Sequence, residues 1–426
     1  MKAVAAQPID SAGVRDFAAR QFANPANACE QLSSLDAASD CYASQFADTI
    51  LAIAQQLAAT DVHLCPTADA LEVSMRIDGV LERWGAYPKG TSSDVITRFK
   101  VIADLLTYRT DVPQEGRVRD SKLRGEIRVS SFPTLHGEKI AIRLFRGEAN
   151  LNYLEDLGLP PDVRELLHRK LFETAGALLI TGPAGSGKTT TAYACLREVA
   201  RVADGSRNIA TLEDPIEVAL HGVAQTQVRR EGEFDLAGGL RALLRQDPEV
   251  ILIGEMRDPA TASTALQASL TGQLVLTTFH ASSAAGAVNR LLDMGLEPYV
   301  LRSGVLAVVC QRLVRKLCSC ATEMTSAEAK LGLPVTRALQ PTGCAACHGS
   351  GYNGRILLVE ALTLDSTEVA TAVLDRRDAT ELERLAMANG MHSRWEQAVK
   401  AVEAGLTSAA EVRRVLGFSD AISPRR

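Results

Sequence analysis

The sequence predicts an α/β protein in which a three-layer core with a parallel sheet follows a smaller α/β domain. Two observations carry this. From Pro160 onward short apolar runs alternate with helical patterns, at Ala177 to Thr181, Ile209 to Leu212, Val250 to Ile253 and Leu274 to Thr278; runs apolar on both sides suit strands covered on both faces. Upstream, Leu71 to Ile77 alternates at period two and meets Asp78-Gly79, a hairpin signal, before Val80-Leu81 resumes the strand.

At roughly 150 residues per domain, a chain of 426 residues predicts two to three domains. Apolar residues make up 46% and charged residues 23%, which excludes wholesale disorder and fibrous repeats. The 46 basic and 51 acidic residues leave a net charge of −5, so a surface that grips nucleic acid throughout is not expected. The start, MKAVAAQPID, lacks a basic segment followed by an apolar one, and no later run approaches the ~18 apolar residues of a membrane span. A cytosolic chain is the expectation.

The elements follow in order. Residues 1–44 read as a short, loosely attached tail, and residues 45–146 as the smaller domain. That domain opens with an amphipathic helix carrying Ile50, Leu51, Ile53, Ala54 and Leu57. The hairpin comes next, then a helix near Asp94 to Leu106 and strands at Glu126 to Phe132 and Glu138 to Phe145. A polar linker covers 147–160. The three-layer core occupies about 161–310, within a second domain of 161–426 that ends in helices at Asp378 to Ala388 and Ser393 to Ala404, with Gly390 and Gly405 as C-terminal stops.

Leu178 to Thr181 runs into Gly182-Pro183-Ala184-Gly185-Ser186-Gly187-Lys188-Thr189-Thr190, which satisfies G-x-x-x-x-G-K-[ST] between a strand and a helix. Its glycines let consecutive backbone N–H groups turn in around phosphates, and the helix from Lys188 adds its positive end. Lys188 would reach the β- and γ-phosphates, and the Thr189 hydroxyl would hold Mg²⁺. The bland alternative is a glycine-rich turn that contains Lys-Thr.

Further on, Glu249 to Glu255 is an apolar strand ending in a carboxylate. Gly254 stands where a magnesium-binding Asp would be expected, so Glu255 reads as the water-polarising base, with or without a share in the metal, or else as a solvated strand-end acid. A second acidic cluster, Glu213-Asp214-Pro215-Ile216-Glu217, follows the strand at 209–212, where Asp-Pro equally starts a turn. His280 closes the strand from Leu274 and is placed to sense a γ-phosphate or to serve as a hydrogen-bonded structural residue.

Four of the nine cysteines form two close pairs, Cys318 with Cys320 and Cys344 with Cys347, the pattern of a metal site more than of a disulfide framework. Four thiolates suit tetrahedral Zn²⁺. The first pair is short and makes a chelate with less room, so His348 is a candidate to replace one sulfur, and an unmetallated cluster is the alternative.

The order of these boxes resembles the secretion-superfamily ATPases that drive type II secretion and type IV pilus assembly. The matching stretches are GPAGSGKTTT, LEDPIE, LRQDPEVILIGEMRD, GQLVLTTFHASSAAGAVNRLLDMG, QRLVRKLC, the cysteine pairs and GYNGR followed by Glu360. Upstream, ATDVHLCP, MRIDGVL, PQEGR and SSFPTLHGEKIAIRL are similar to that family's second N-terminal domain, and the resemblance covers about residues 45–416. It implies a RecA-like P-loop ATPase core, a PAS-like smaller domain, a cysteine loop and a helical C-terminus. It further implies ATP with Mg²⁺, structural Zn²⁺, a homo-hexamer and an inner-membrane platform protein as partner, with the chain cytoplasmic and peripheral at that membrane.

The same resemblance strengthens Glu213 and His280 as catalytic candidates and brings in Arg117, Arg128 and Arg143, whose guanidinium forks would approach the phosphates. Three departures stand out. Only residues 1–44 stand where the resemblance would place a full first N-terminal domain, Thr110-Asp111 replace an arginine pair, and the first cysteine pair is Cys318-Ser-Cys320. The rival functions are a pilus-retraction motor, whose branch typically lacks the cysteine loop, a nucleic-acid translocase on the same core, and a scaffold that binds nucleotide without hydrolysis. No nucleic-acid partner is expected, with aromatics at 4%.

Overall fold

The structure is a computed structural model and describes residues 30–88, 92–118, 126–145, 151–228, 235–324 and 330–418. Most of the tail read at 1–44 and residues 147–150 of the linker read at 147–160 therefore lie outside the described residues. The chain forms two compact units, one of residues up to Arg146 with Gly343–Ser350, and one of the remainder.

The first unit contains α1 (Tyr42–Gln56), β1 (Asp61–Pro66), β2 (Ala70–Ile77), β3 (Val80–Pro88), α2 (Ser92–Ile102), β4 (Gln114–Val118), β5 (Glu126–Thr134) and β6 (Gly137–Phe145). Its six strands pair antiparallel throughout in the order β3-β2-β1-β6-β5-β4. Alternation decides which face is covered: Val62 and Leu64 of β1, Val73 and Met75 of β2, and Ile140 and Ile142 of β6 are buried with Phe46, Ile50 and Ile53 of α1 and Phe99 of α2. Leu32 and Tyr42, read as tail, are part of this core. As isolated apolar residues they carry no period to read. Helix α2 stops at Ile102, short of the expected Leu106, because Asp104 turns left-handed at φ 60° and Leu105 N–H bonds back to Lys100 O.

The second unit runs through α3 (Pro161–Lys170), β7 (Gly176–Thr181), α4 (Lys188–Ala203), β8 (Ile209–Glu213), β9 (Ala224–Gln227), α5 (Leu236–Leu243), β10 (Val250–Ile253), α6 (Pro259–Leu270), β11 (Leu274–Phe279), α7 (Ala284–Asp293), α8 (Pro298–Gly304) and β12 (Val305–Leu317). After the short β13 (Thr322–Glu323) and β14 (Leu339–Gln340) come β15 (Tyr352–Leu362) and helices α9 (Thr367–Leu374), α10 (Ala379–Ala388), α11 (Arg394–Glu403) and α12 (Ala409–Leu416). The sheet order is β15-β12-β7-β11-β10-β8-β9, parallel except for β15.

Every residue of β7, β8, β10 and β11 is buried, since both faces are covered. Leu179, Ile251, Ile253 and Val275 pack into one apolar cluster, and Leu178, Ile180, Leu252 and Leu276 into another. Burying each such side chain stabilises the fold by about 1.5–3 kcal/mol. Strands β12 and β15 extend this sheet beyond the limit of 310 expected from sequence. The α/β class, the parallel sheet and the helical C-terminus are those the sequence predicts.

Candidate active site and cysteine cluster

The C-terminal ends of four adjacent strands, β7, β11, β10 and β8, bring together residues far apart in sequence. In-register pairs fix the row: Thr181 with Phe279, Thr277 with Ile253, and Ile253 with Leu212. At or just beyond these ends lie, in spatial order, the glycine-rich loop, His280, Glu255 and Glu213, the last residue of β8. This is the edge at which open parallel sheets bind ligands.

In the loop, Gly182, Gly185 and Gly187 have φ of 144°, 73° and 88°, values that a side chain would strain. A Cβ on Gly182 would also come within 2.6 Å of Gln311 O. Pro183, Ala184 and Gly185 are exposed while Ser186 is buried, and its hydroxyl has no hydrogen-bond partner among the described residues. Lys188 opens α4 and donates to Gly182 O at 3.1 Å and Pro183 O at 2.8 Å. Burial pulls its pKa down, with the Arg312 charge adding to that and Glu255 opposing it. A buried cation curled onto its own loop carbonyls, beside an orphaned hydroxyl, fits an anionic phosphate group. Thr189 and Thr190 follow on the first turn, half-buried.

Glu255 sits one residue beyond Gly254. Its Oε1 is 2.8 Å from His280 Nε2, and its Oε2 accepts from Arg257 Nε at 2.7 Å. The other ring nitrogen, Nδ1, lies 3.2 Å from Gly182 O. The imidazole thus bridges the acid and the first glycine of the loop. Both neighbours accept, so a doubly protonated ring donates to each and a neutral ring to one. Gly254 is explained by its surroundings: a Cβ there would stand 3.3 Å from Glu213 Cα and 3.4 Å from Leu212 O. An Asp at this strand end would press on the backbone of β8.

Glu213 is buried, and its carboxylate accepts from the Tyr193 hydroxyl, from Thr211 Oγ1 at 2.5 Å and from Gln225 Nε2 at 3.1 Å. Burial and then the Glu213 bond push the Tyr193 phenol well above its usual pKa. Arg117, Arg128 and Arg143 lie in the first unit on β4, β5 and β6. Register sets them directly opposite one another, Arg117 with Arg128 and Arg128 with Arg143, and continues to Asp61 and Arg76. Asp61 takes Arg143 Nε at 3.0 Å and Arg76 Nε at 3.5 Å.

The sulfurs of Cys318, Cys320, Cys344 and Cys347 all lie within 4.8 Å of one another. Cys344 and Cys347 sulfurs are 3.7 Å apart, far beyond a disulfide's ~2.0 Å. Four sulfurs at about 2.3 Å from a tetrahedral zinc would stand about 3.8 Å apart, so the set fits that ion. The shortened pair reaches the cluster with both of its sulfurs.

Reading the sequence missed Arg257, which is part of the quoted GEMRD box, and it missed Tyr193 and Arg312. Position after a strand end was the available signal for Arg257. Arg312 likewise belongs to the quoted QRLVRKLC box, while nothing local marks Tyr193.

A model of the family described as "Type II/IV secretion system protein" matches residues 36–414. The chain is 41% identical over 366 residues to Type II secretion system protein E of Pseudomonas aeruginosa, covering 84% of this chain and 72% of that one. It is 36% identical over 405 residues to the type IV pilus assembly ATPase PilB of Thermus thermophilus, covering 92% of this chain and 45% of that one. Among solved structures, the Legionella pneumophila ATPase DotB superposes with a TM-score of 0.65 at 22% identity, over 87% of this chain and 94% of its own. The pilus retraction motor PilT with bound ADP gives 0.56 at 26% identity, over 86% and 95%.

Proposed function

Because the chain belongs to the Type II/IV secretion system protein family, we propose that it is a Mg²⁺-dependent ATPase that works as a hexameric cytoplasmic motor. It would act on an inner-membrane platform protein in type II secretion or type IV pilus assembly. The observation that carries the chemistry is the row of Lys188, His280 and Glu255 at adjacent strand ends, with Glu255 and His280 in contact at 2.8 Å.

Lys188 leaves the carbonyls of Gly182 and Pro183 for the β- and γ-phosphate oxygens, joined by the backbone N–H groups of the loop. Thr189 would hold Mg²⁺, which when bound neutralises charge developing on the phosphates. Glu255 orients and deprotonates the attacking water, and His280 ties its position to the loop through Gly182 O. Glu213 enters as a candidate acid, but its three donors leave it better suited to shaping the strand end than to taking a proton. Arg117, Arg128 and Arg143 supply permanent charge for phosphates within the hexamer. Cys318, Cys320, Cys344 and Cys347 would hold a structural Zn²⁺. No helix among the described residues is long and apolar enough to cross a membrane.

The cysteine cluster favours assembly or export over retraction. The test is phosphate release from ATP by the purified chain, with Mg²⁺ and with a chelator, together with its mass in solution. Metal-dependent turnover by a hexamer supports the reading. Release no faster than that of a Lys188→Ala chain would refute it.

A further inference from the structure

The loop that carries His280 is fixed mainly by residues from far along the chain. After His280 the backbone passes Ala281, Ser282 and Ser283 into α7. Arg290 Nη1 donates to His280 O at 2.6 Å. Ser282 O accepts twice, from Arg312 Nη2 at 2.9 Å and Arg394 Nη1 at 2.8 Å. Ala284 N–H donates to Glu360 Oε1 at 2.6 Å, and the other oxygen of Glu360 takes Arg394 Nε at 2.8 Å. Glu360 belongs to β15 and is 1% exposed, while Arg394 is the first residue of α11.

This arrangement is costly unless it is complete. A buried carboxylate needs a counter-charge and donors, and here one oxygen has Arg394 while the other has the N-terminal N–H of α7, where the helix dipole also favours an anion. Two guanidiniums crowd one carbonyl, and burial together with the Arg394 charge lowers the pKa of Arg312. A cavity of about 190 Å³, lined by Ser282, Arg312, Glu360 and Arg394 together with the apolar Val415 and Leu416, lies beside them, so these side chains have room to rearrange.

We propose that Glu360 and Arg394 are positioning residues for His280, holding its loop so that the imidazole stays against Glu255. Through them the start of α11 is coupled to hydrolysis: a displacement of that helix would move Ser282 and, two residues back, the ring. The proposal rests on the reading of Glu255 and His280 as the hydrolytic pair.

The experiment compares Arg394→Ala, Arg394→Lys, His280→Ala and the double variant His280→Ala/Arg394→Ala in the full chain. It reads kcat and KM for ATP, and the ring resonances of His280 with isotopically labelled histidine. Arg394→Ala should lower kcat about 10- to 100-fold with KM within about twofold and should displace the His280 signals, while Arg394→Lys, which keeps the charge but not the fork, should fall between. The double variant should be no slower than His280→Ala alone, as expected of residues acting through one group. Should Arg394→Ala not fold, the Lys variant carries the same comparison. Equal losses with and without His280, or a ring signal that does not move, would overturn the proposal. The resonance needs no turnover, so a chain that does not hydrolyse ATP would refute the ATPase reading while this arm still decided the positioning role.

Discussion

Tyr193 and Glu213 join α4 to the end of β8 through a buried hydrogen bond. The same phenol oxygen accepts from Glu217 N–H at 3.2 Å, so one hydroxyl fixes both ends of the acidic box.

That contact gives a stability prediction. Tyr193→Phe leaves a buried carboxylate short of one donor and should cost about 1–3 kcal/mol at pH 7 in denaturant unfolding. The phenol pKa is raised in the folded chain, first by burial and then by Glu213. A raised acid pKa stabilises the fold below the unfolded value near 10 and ceases to do so as pH climbs through the folded value. The gap between the two proteins should therefore hold from pH 7 to 9 and narrow above about pH 10. A gap that widened there would contradict the assignment.

Lys188→Ala removes a charge placed to contact the phosphates in both ground and transition states. Nucleotide affinity and turnover should fall together, measured by titration with a fluorescent ATP analogue and by phosphate release. Loss of turnover with affinity intact would place Lys188 outside the binding step.

Much of the site is legible in the sequence because each part of it is local. The glycine loop, Glu255 and His280 each follow an apolar run of strand length, and a strand end is a place that can be read without knowing its neighbours. What is not legible depends on distant pairing. Gly254 makes sense only once Glu213 Cα stands 3.3 Å from where its Cβ would be. Strands β12 and β15 escaped because β12 passes from an apolar run into the charged QRLVRKL, which reads as a loop until its antiparallel partner is known. The contacts of Arg394 with Ser282 and Glu360 span 112 and 34 residues, and no period announces them.

The row of Arg117, Arg128 and Arg143 is of that kind, and it has a consequence. Like charges directly opposite one another destabilise a sheet by a few tenths to about 1 kcal/mol. Arg128 also makes an interaction of its own, and Asp61 pairs with Arg143, so Arg128→Thr should change the melting temperature little. If the arginines close the nucleotide site, turnover should still fall, and in the unaltered chain it should rise steeply with protein concentration as hexamers form. Full activity in Arg128→Thr would remove that arginine from the chemistry.

For the cysteine cluster, metal analysis should find about one zinc per chain, since four thiolates fill one tetrahedral site. Replacing Cys344 and Cys347 together should abolish it and expose residues 340–352 to protease, because the ion would tie these cysteines to Cys318 and Cys320, while Leu333, Val335 and Ala338 stay anchored in an apolar cluster with Ala398 and Val402. ATP-analogue binding should persist. Purified chain without zinc, yet with that segment protected, would leave the cysteines as packing.

In the proposed hydrolysis, Glu255 activates water beside a phosphate held by Lys188. Glu255→Gln keeps the shape and one acceptor for His280 but cannot take a proton, so the decisive measurement is single-turnover hydrolysis of bound ATP by Glu255→Gln against the unaltered chain. ATP should bind with affinity within a few-fold, and cleavage should slow by about 10²-fold or more. Cleavage at the unaltered rate would contradict it and move the base elsewhere, with Glu213 the next acid along the sheet edge.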